Sequence, residues 1–179
     1  RRTVHETMTF LDMRWIRSAA LAGAFVAVAG SAVSAASLVK TYRDWSLFSH
    51  DQSDKKICFA ATQPKDSSPA GASREGVFFY ISAWPKDGVK SEVSVRLGYQ
   101  IQKGSTVKVR VGSSEFDLFA KDDKAFVADA TEELKLIDAM KRGSSMKVEA
   151  TSDAGSTTSD TYSLIGISAA LRGLSRSCP

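Results

Sequence analysis

The chain has 179 residues, of which 43% are hydrophobic and 25% charged, with 12 Gly and 4 Pro. These values exclude a wholly disordered, collagen-like or low-complexity protein and fit one ordinary domain plus an appendage. The net charge of +4 and the sequence pI of about 9.1 would point to a polyanionic partner only if the charge were concentrated on one face. Residues 1–35 carry Arg1, Arg2, Arg14 and Arg17 against Glu6 and Asp12. Half of the excess therefore belongs to this segment, and the rest of the chain is left nearly balanced. That balance argues against nucleic acid as a partner.

The appendage is the first element. Arg14 and Arg17 flank Trp15 and Ile16, and an apolar stretch runs from Ala19 to Gly30 before the small residues Ser31-Ala32-Val33-Ser34-Ala35-Ala36. A basic segment, a short apolar core and a small-residue cleavage site are the pattern of a secretory signal peptide. Cleavage is expected after Ala35 or Ala36, giving a leader at 1–35 and a domain at 36–179. The competing reading is an uncleaved anchor, since Ser18 to Val39 carries no charge. Most of that stretch is Ala, Ser and Gly, a poor match to the roughly 20 predominantly apolar residues of a spanning helix. Membrane contact is expected to be peripheral if there is any. Met13 opens a Met-Arg-Trp-Ile-Arg start, which marks residues 1–12 as a candidate miscalled extension.

Beyond the leader, strands are expected at 45–49 and 57–62, the second carrying Cys58. The polar run Gln63–Gly76 reads as an exposed loop. Val77-Phe78-Phe79-Tyr80-Ile81 is a continuous apolar run that suits a strand covered on both faces. Period-two alternation places Val93, Val95 and Leu97 on one face, and Val107, Val109 and Val111 on another. Gly112-Ser113 reads as a tight hairpin leading into Glu115–Phe119, and Lys86-Asp87-Gly88 and Lys103-Gly104 as turns. A strand is expected at 124–128. Asp129-x-x-Glu132 then resembles a capping box, followed by Leu134, Ile137 and Met140 at helical spacing, with Gly143 as the stop. Met146, Val148 and Ala150 alternate again, as do Tyr162 and Leu164. A helix over about 167–176 places Ile167, Ala170, Leu171 and Leu174 on one side. Many short strands with regular turn signals suggest a mainly β fold, an Ig-like antiparallel β-sandwich with one or two short helices.

Cys58 and Cys178 are the two cysteines. In the oxidising compartment that a leader implies, an even count reads as a disulfide, and two cysteines allow one pairing. A loop of 120 residues closed this way is worth about 5 kcal/mol by the chain-entropy model.

Residues for chemistry are few. Without His5 the domain holds a single histidine, His50, and no Gly-x-Ser-x-Gly elbow accompanies it. His50, Asp51 and Asp54 read better as a solvated loop than as a cation site. No phosphate-binding glycine loop is present. Asp122-Asp123 and Glu132-Glu133 sit where a turn and a helix start call for acidic residues, and nothing marks a glycosidase pair. No catalytic residue, cofactor or metal is assigned. Arg96, Lys108 and Arg110 could form a basic stripe on neighbouring strands, although a solvated face is the plainer account. Trp45, Trp84 and Phe126 could anchor a partner or belong to the core, and their exposure decides between the two.

The domain resembles the invasion-associated locus B family of secreted alphaproteobacterial proteins over nearly its whole length. The resemblance is carried by Asp44-Trp45, Cys58, Val93-Ser94 through Gly98-Tyr99, Lys103-Gly104-Ser105 with Val107, Val109 and Gly112, and Phe116-Asp117-Leu118-Phe119. It continues in Ala139-Met140-Lys141-Arg142-Gly143, Asp160 through Ile167, Ala169-Ala170-Leu171 and Cys178. Gln100-Ile101 stands where a Pro-Phe pair is common, and Phe126 where Trp is common. The resemblance implies a periplasmic or outer-envelope β-sandwich with no established enzymatic activity. An envelope or host protein is the expected partner, and host-cell invasion is a role that depends on the source bacterium. The alternative is a periplasmic small-molecule-binding protein or an unrecognised enzyme, which would need a pocket with convergent polar groups.

Overall fold

The computed structural model describes residues 35–52, 55–70 and 74–179. The expected leader and Asp54 lie outside the described residues. Ala35 and Ala36 are exposed and directly precede the first strand. Among the described residues, no helix is long and apolar enough to cross a membrane.

Eleven strands are described: β1 (Ser37–Tyr42), β2 (Trp45–Gln52), β3 (Lys55–Thr62), β4 (Asp66–Ser68), β5 (Phe78–Trp84), β6 (Val89–Arg96), β7 (Thr106–Val111), β8 (Ser114–Lys121), β9 (Lys124–Phe126), β10 (Ser145–Thr151) and β11 (Thr157–Ser163). Two helices accompany them, α1 (Ala130–Arg142) and α2 (Ile167–Ser177). The fold is thus mainly β with two helices, as the alternation predicts. All pairings are antiparallel, in the order β1-β2-β3-β5-β6-β9-β8-β7-β10-β11-β4. The two layers expected of a sandwich are halves of one hydrogen-bonded sheet. The short β9 joins them, pairing with β6 on one side and β8 on the other.

The halves meet face to face. Phe79 of β5 packs edge-on against Tyr162 of β11 with ring centroids 5.8 Å apart, and Trp45 of β2 donates its indole Nε1–H to the Ser163 carbonyl at 3.0 Å. Inward positions from both halves (Leu47, Cys58, Ala60, Ile81, Val93 and Val95 from one; Val107, Val109, Leu118, Val148 and Tyr162 from the other) belong to one buried core. The ladder alternation therefore supplies two inner faces and two outer ones. The outer faces carry the functional question.

Several local expectations are corrected. β1 takes in Ser37, Leu38 and Val39, the end of the uncharged Ser18–Val39 stretch, and is almost wholly exposed, with Leu38 58% and Val39 49% accessible. An edge strand with both faces wet needs no alternating pattern, so periodicity does not reveal it. The polar run 63–76 is not simply an exposed loop. It contains β4, which pairs with β11, and Arg74, whose side chain is 8% exposed. The apolar run 77–81 is not covered on both faces by another layer. Phe79 and Ile81 are fully buried, whereas Phe78 and Tyr80 point outward and stay half-buried among other rings. The strand expected at 124–128 ends at Phe126.

In α1, Asp129 caps as expected, accepting from the backbone N–H of Thr131 at 2.9 Å and Glu132 at 3.1 Å. The Glu132 carboxylate bonds Lys135 instead of reaching back to the cap. Leu134 faces solvent at 59% exposure, and the buried stripe is Leu136, Ile137, Ala139 and Met140. The reason is angular, since residues two apart on a helix stand about 200° from each other. Gly143 ends the helix in an extended conformation, φ −87°. Its requirement is space: a Cβ there would lie 2.7 Å from Val111 Cγ1.

α2 buries Ile167, Ala170, Gly173 and Leu174. Gly166 starts it at φ +101°, where a Cβ would fall 1.9 Å from the Tyr42 carbonyl oxygen. Only glycine allows the β1–β2 corner to come that close. At the other end of α2, Cys178 is bonded to Cys58 of β3, so the pairing predicted from the cysteine count is the one formed.

Candidate functional site: an aromatic notch on one outer face

The three aromatic residues singled out in the sequence part company. Trp45 is 0% exposed and belongs to the core. Trp84 and Phe126 are half-buried on the outer face of the β2-β3-β5-β6-β9 half, where both line a groove of about 300 Å³.

The ladder register explains the groove. Ile81 and Ala83 point into the core, so Tyr80, Ser82 and Trp84 point out; Val93 and Val95 point in, so Glu92, Ser94 and Arg96 point out. Across the sheet, Phe59 pairs with Ser82 and Ser82 with Glu92. One step along, Tyr80 pairs with Ser94 and Ser94 with Phe126. Two short side chains thus sit on a diagonal of the β5–β6 ladder between large rings. Ser82 and Ser94 make the floor of a notch, and Phe59, Tyr80, Trp84 and Phe126 make its walls. His50 and Glu92 stand at its rim, with Arg96 and Lys124 also lining it.

The rings hold one another in place. Phe48 stacks on Phe59 at 5.2 Å and 18°, Phe59 meets Tyr80 at 5.9 Å and 72°, and Phe78 lies 5.6 Å from Tyr80. Phe119, 47% exposed, lies 5.7 Å from Phe126 and extends the band beyond the notch. Offset and edge-to-face contacts of this kind are each worth about 0.5–1.5 kcal/mol beyond area burial. The walls are therefore ordered before anything binds.

Neither the Ser82 nor the Ser94 hydroxyl has a hydrogen-bond partner among the described residues, which leaves both to water. The Trp84 indole Nε1–H is buried and has no partner, an exception to the rule that buried polar groups are bonded. Burial pushes the Tyr80 phenol upward, keeping it a neutral donor. Arg96 is bonded to Asp123 at 2.6 Å, which holds it firmly as a cation.

The basic stripe is not formed as expected. Arg96 lies on β6 and Lys108 and Arg110 on β7, and the sheet order puts β9 and β8 between them. Lys108 bonds Glu115 and lies 3.6 Å from Asp117, while Arg110 bonds Glu115 at 2.6 Å and approaches Glu149 at 3.3 Å. On the outer face of β7, β8 and β10, Lys108 and Arg110 are thus held in ion pairs, with exposed Lys147 beside Arg110.

A buried polar centre lies between the halves. Asp160 of β11, 0% exposed, takes a bidentate pairing from the Arg74 guanidinium and a hydrogen bond from Ser67 of β4 at 2.7 Å. Arg74 also donates to the Leu97 carbonyl at 3.2 Å and lies over the Tyr99 ring. Tyr162 stands beside this pair with its hydroxyl unpartnered, its phenol pushed up by burial. The arrangement fastens the chain between β3 and β5 onto β11. Near the same end of β11, Asp44 accepts from Lys65 at 2.7 Å and from the Ser163 hydroxyl at 2.6 Å, and both bonds hold its carboxyl below the ordinary range. Of the residues weighed as a cation site, His50 lies at the notch rim and Asp51 is exposed. Among the described residues, no group of three or more His, Cys, Asp or Glu could hold a metal ion.

The register that builds the notch was not visible as a motif, because Ser82 and Ser94 are unremarkable until Phe59, Tyr80 and Phe126 are placed beside them. Comparison with known proteins supplies the remaining facts. The family model described as invasion associated locus B (IalB) protein matches residues 45–175. The crystal structure of invasion associated protein B from Bartonella henselae is similar at a TM-score of 0.56 and 21% identity, covering 77% of this chain and 96% of that one. No curated protein matches the chain.

Proposed function

The chain belongs to the invasion-associated locus B family, and we propose that it works in the periplasm or outer envelope as a non-enzymatic binding module whose contact surface is the aromatic outer face. The observation that carries the reading is the contrast in how the two outer faces are satisfied. One carries ion pairs that engage Lys108, Arg110 and Glu115, whereas the other presents ordered rings around two serine hydroxyls that have no protein partner. Preformed sites of apolar lining with a few convergent polar groups are how proteins recognise partners.

Export is supported by the leader pattern from Arg14 to Ala36 and by the Cys58–Cys178 bond, which suits an oxidising compartment. The name of the Bartonella henselae protein extends the proposal to association with host cells, with the same face meeting an envelope or host component. The non-enzymatic part follows what the family resemblance implies, and the lining supplies four rings and two hydroxyls for recognition beside His50 and Glu92.

Two measurements test the proposal. Osmotic release followed by intact mass of the exported protein is expected to give a species starting at Ala36 or Ser37; a retained leader contradicts it. Purified protein is expected to pellet with isolated cell envelope, and Ser94→Phe, which fills the notch, is expected to abolish this. Equal pelleting of the variant removes the face from the account.

A further inference from the structure

We propose that the notch is a saccharide site, taking a pyranose ring of a glycan chain against its aromatic walls. The inference rests on the reading of this face as the contact surface and names the chemistry of its ligand.

The lining must be matched on two counts. Phe59, Tyr80 and Phe126 demand an apolar partner, since their faces are the electron-rich side of the ring quadrupole and favour polarised C–H groups. Ser82 and Ser94 line the notch with hydroxyls that have no protein partner, and an occupant that displaces their water must replace those hydrogen bonds. An aliphatic side chain would satisfy the walls and leave both hydroxyls dry, which is costly. A sugar ring satisfies both, with axial C–H bonds on one face and hydroxyls at the edge that donate or accept. The two serine hydroxyls, which act either way, fit such groups.

The wall geometry separates a sugar from a flat heteroaromatic ligand. Phe59 and Tyr80 meet at 72°, forming a corner for a puckered ring and no parallel-sided slot for a base. The charge pattern is mixed, with Arg96 bonded to Asp123 and Lys124 lining the notch together with Glu92. The volume of about 300 Å³ stands at the lower end of small-molecule sites. The flanking aromatic band, with Phe48 and Phe78 on one side and Phe119 on the other, gives neighbouring sugar units further surface.

The test uses the full chain, isotopically labelled at its indole nitrogens, titrated separately with cellotetraose and with the tetramer of N-acetylglucosamine. Saturable movement of the Trp84 indole N–H signal is expected with at least one of them, while the Trp45 signal, engaged by Ser163, stays in place. Trp84→Phe and the Ser82→Ala/Ser94→Ala pair are each expected to weaken binding about tenfold or more at unchanged melting temperature. No saturable shift with either saccharide at millimolar concentration overturns the inference, as does a shift that the variants leave intact. If the saccharides fail while Ser94→Phe still abolishes envelope pelleting, the sugar assignment falls and the binding face stands. If both fail, the face itself is wrong.

Discussion

The two outer faces of this sheet are built from the same alternation and reach opposite ends. On β7, β8 and β10, outward positions carry Lys108, Arg110, Lys147, Glu115, Asp117 and Glu149, and Lys108 and Arg110 find carboxylates across the ladder. On β3, β5, β6 and β9, outward positions carry Phe59, Tyr80, Ser82, Trp84, Ser94 and Phe126, and the serine hydroxyls among them have no protein partner. A face whose groups are mutually satisfied has little to offer a partner. A face of ordered rings around unmet hydrogen-bonding groups has its recognition chemistry still available. The lesson is that net charge was a poor guide. Half of the excess lies in residues 1–35, Lys108 and Arg110 are held in ion pairs, and the face with recognition chemistry is the aromatic one.

The largest expected effect would break both faces together. Arg74→Met leaves Asp160 buried without its guanidinium, and removing one partner of a buried pair costs about 3–5 kcal/mol. Urea unfolding should show that loss. A value below about 1 kcal/mol would mean that the two halves are held by packing alone. Next, a double-mutant cycle on Phe48 and Phe59 should give a coupling of about 0.5–1.5 kcal/mol. A coupling near zero would deny that the notch walls are ordered in advance.

Two titrations sharpen the frame beneath the faces. Glu133 accepts from the Val93 N–H at 2.6 Å, yet burial raises its carboxyl. A raised acid favours its protonated form in the fold, so its contribution is fullest in acid and declines as pH rises through the raised value. Glu133→Gln keeps the acceptor, and the variant is expected to be more stable than the parent at neutral pH, the two converging in acid. Asp44 runs the other way: its lowered carboxyl contributes above the ordinary carboxylate range and the contribution is lost as pH falls. Asp44→Asn should flatten that acid limb in thermal melts. The smallest effect belongs to the paired face, where Glu115→Gln is expected to lower the melting temperature slightly, and less so in high salt, with envelope pelleting unchanged.

The fold was largely legible because burial imposes period two on β6, β7, β8 and β10, and because Asp129 and Cys58–Cys178 are chemical signals independent of packing. β1 and β4 were not legible: one is wet on both faces and the other is three polar residues within a polar run. The site was legible only in fragments. Trp84 and Phe126 could be named as candidates, but nothing in the chain distinguishes them from Trp45, which became core. What separates them is register, and register is a property of pairs of strands. A serine opposite a phenylalanine is visible only once β5 lies against β3 and β6 against β9.

The most direct test of the aromatic face is hydroxyl-radical footprinting of the purified protein with and without isolated envelope. The account predicts that Phe59, Tyr80, Trp84 and Phe126 become protected together, while the side chains of the β7–β8–β10 face keep their reactivity. Protection on that paired face, with the four rings still reactive, would contradict it.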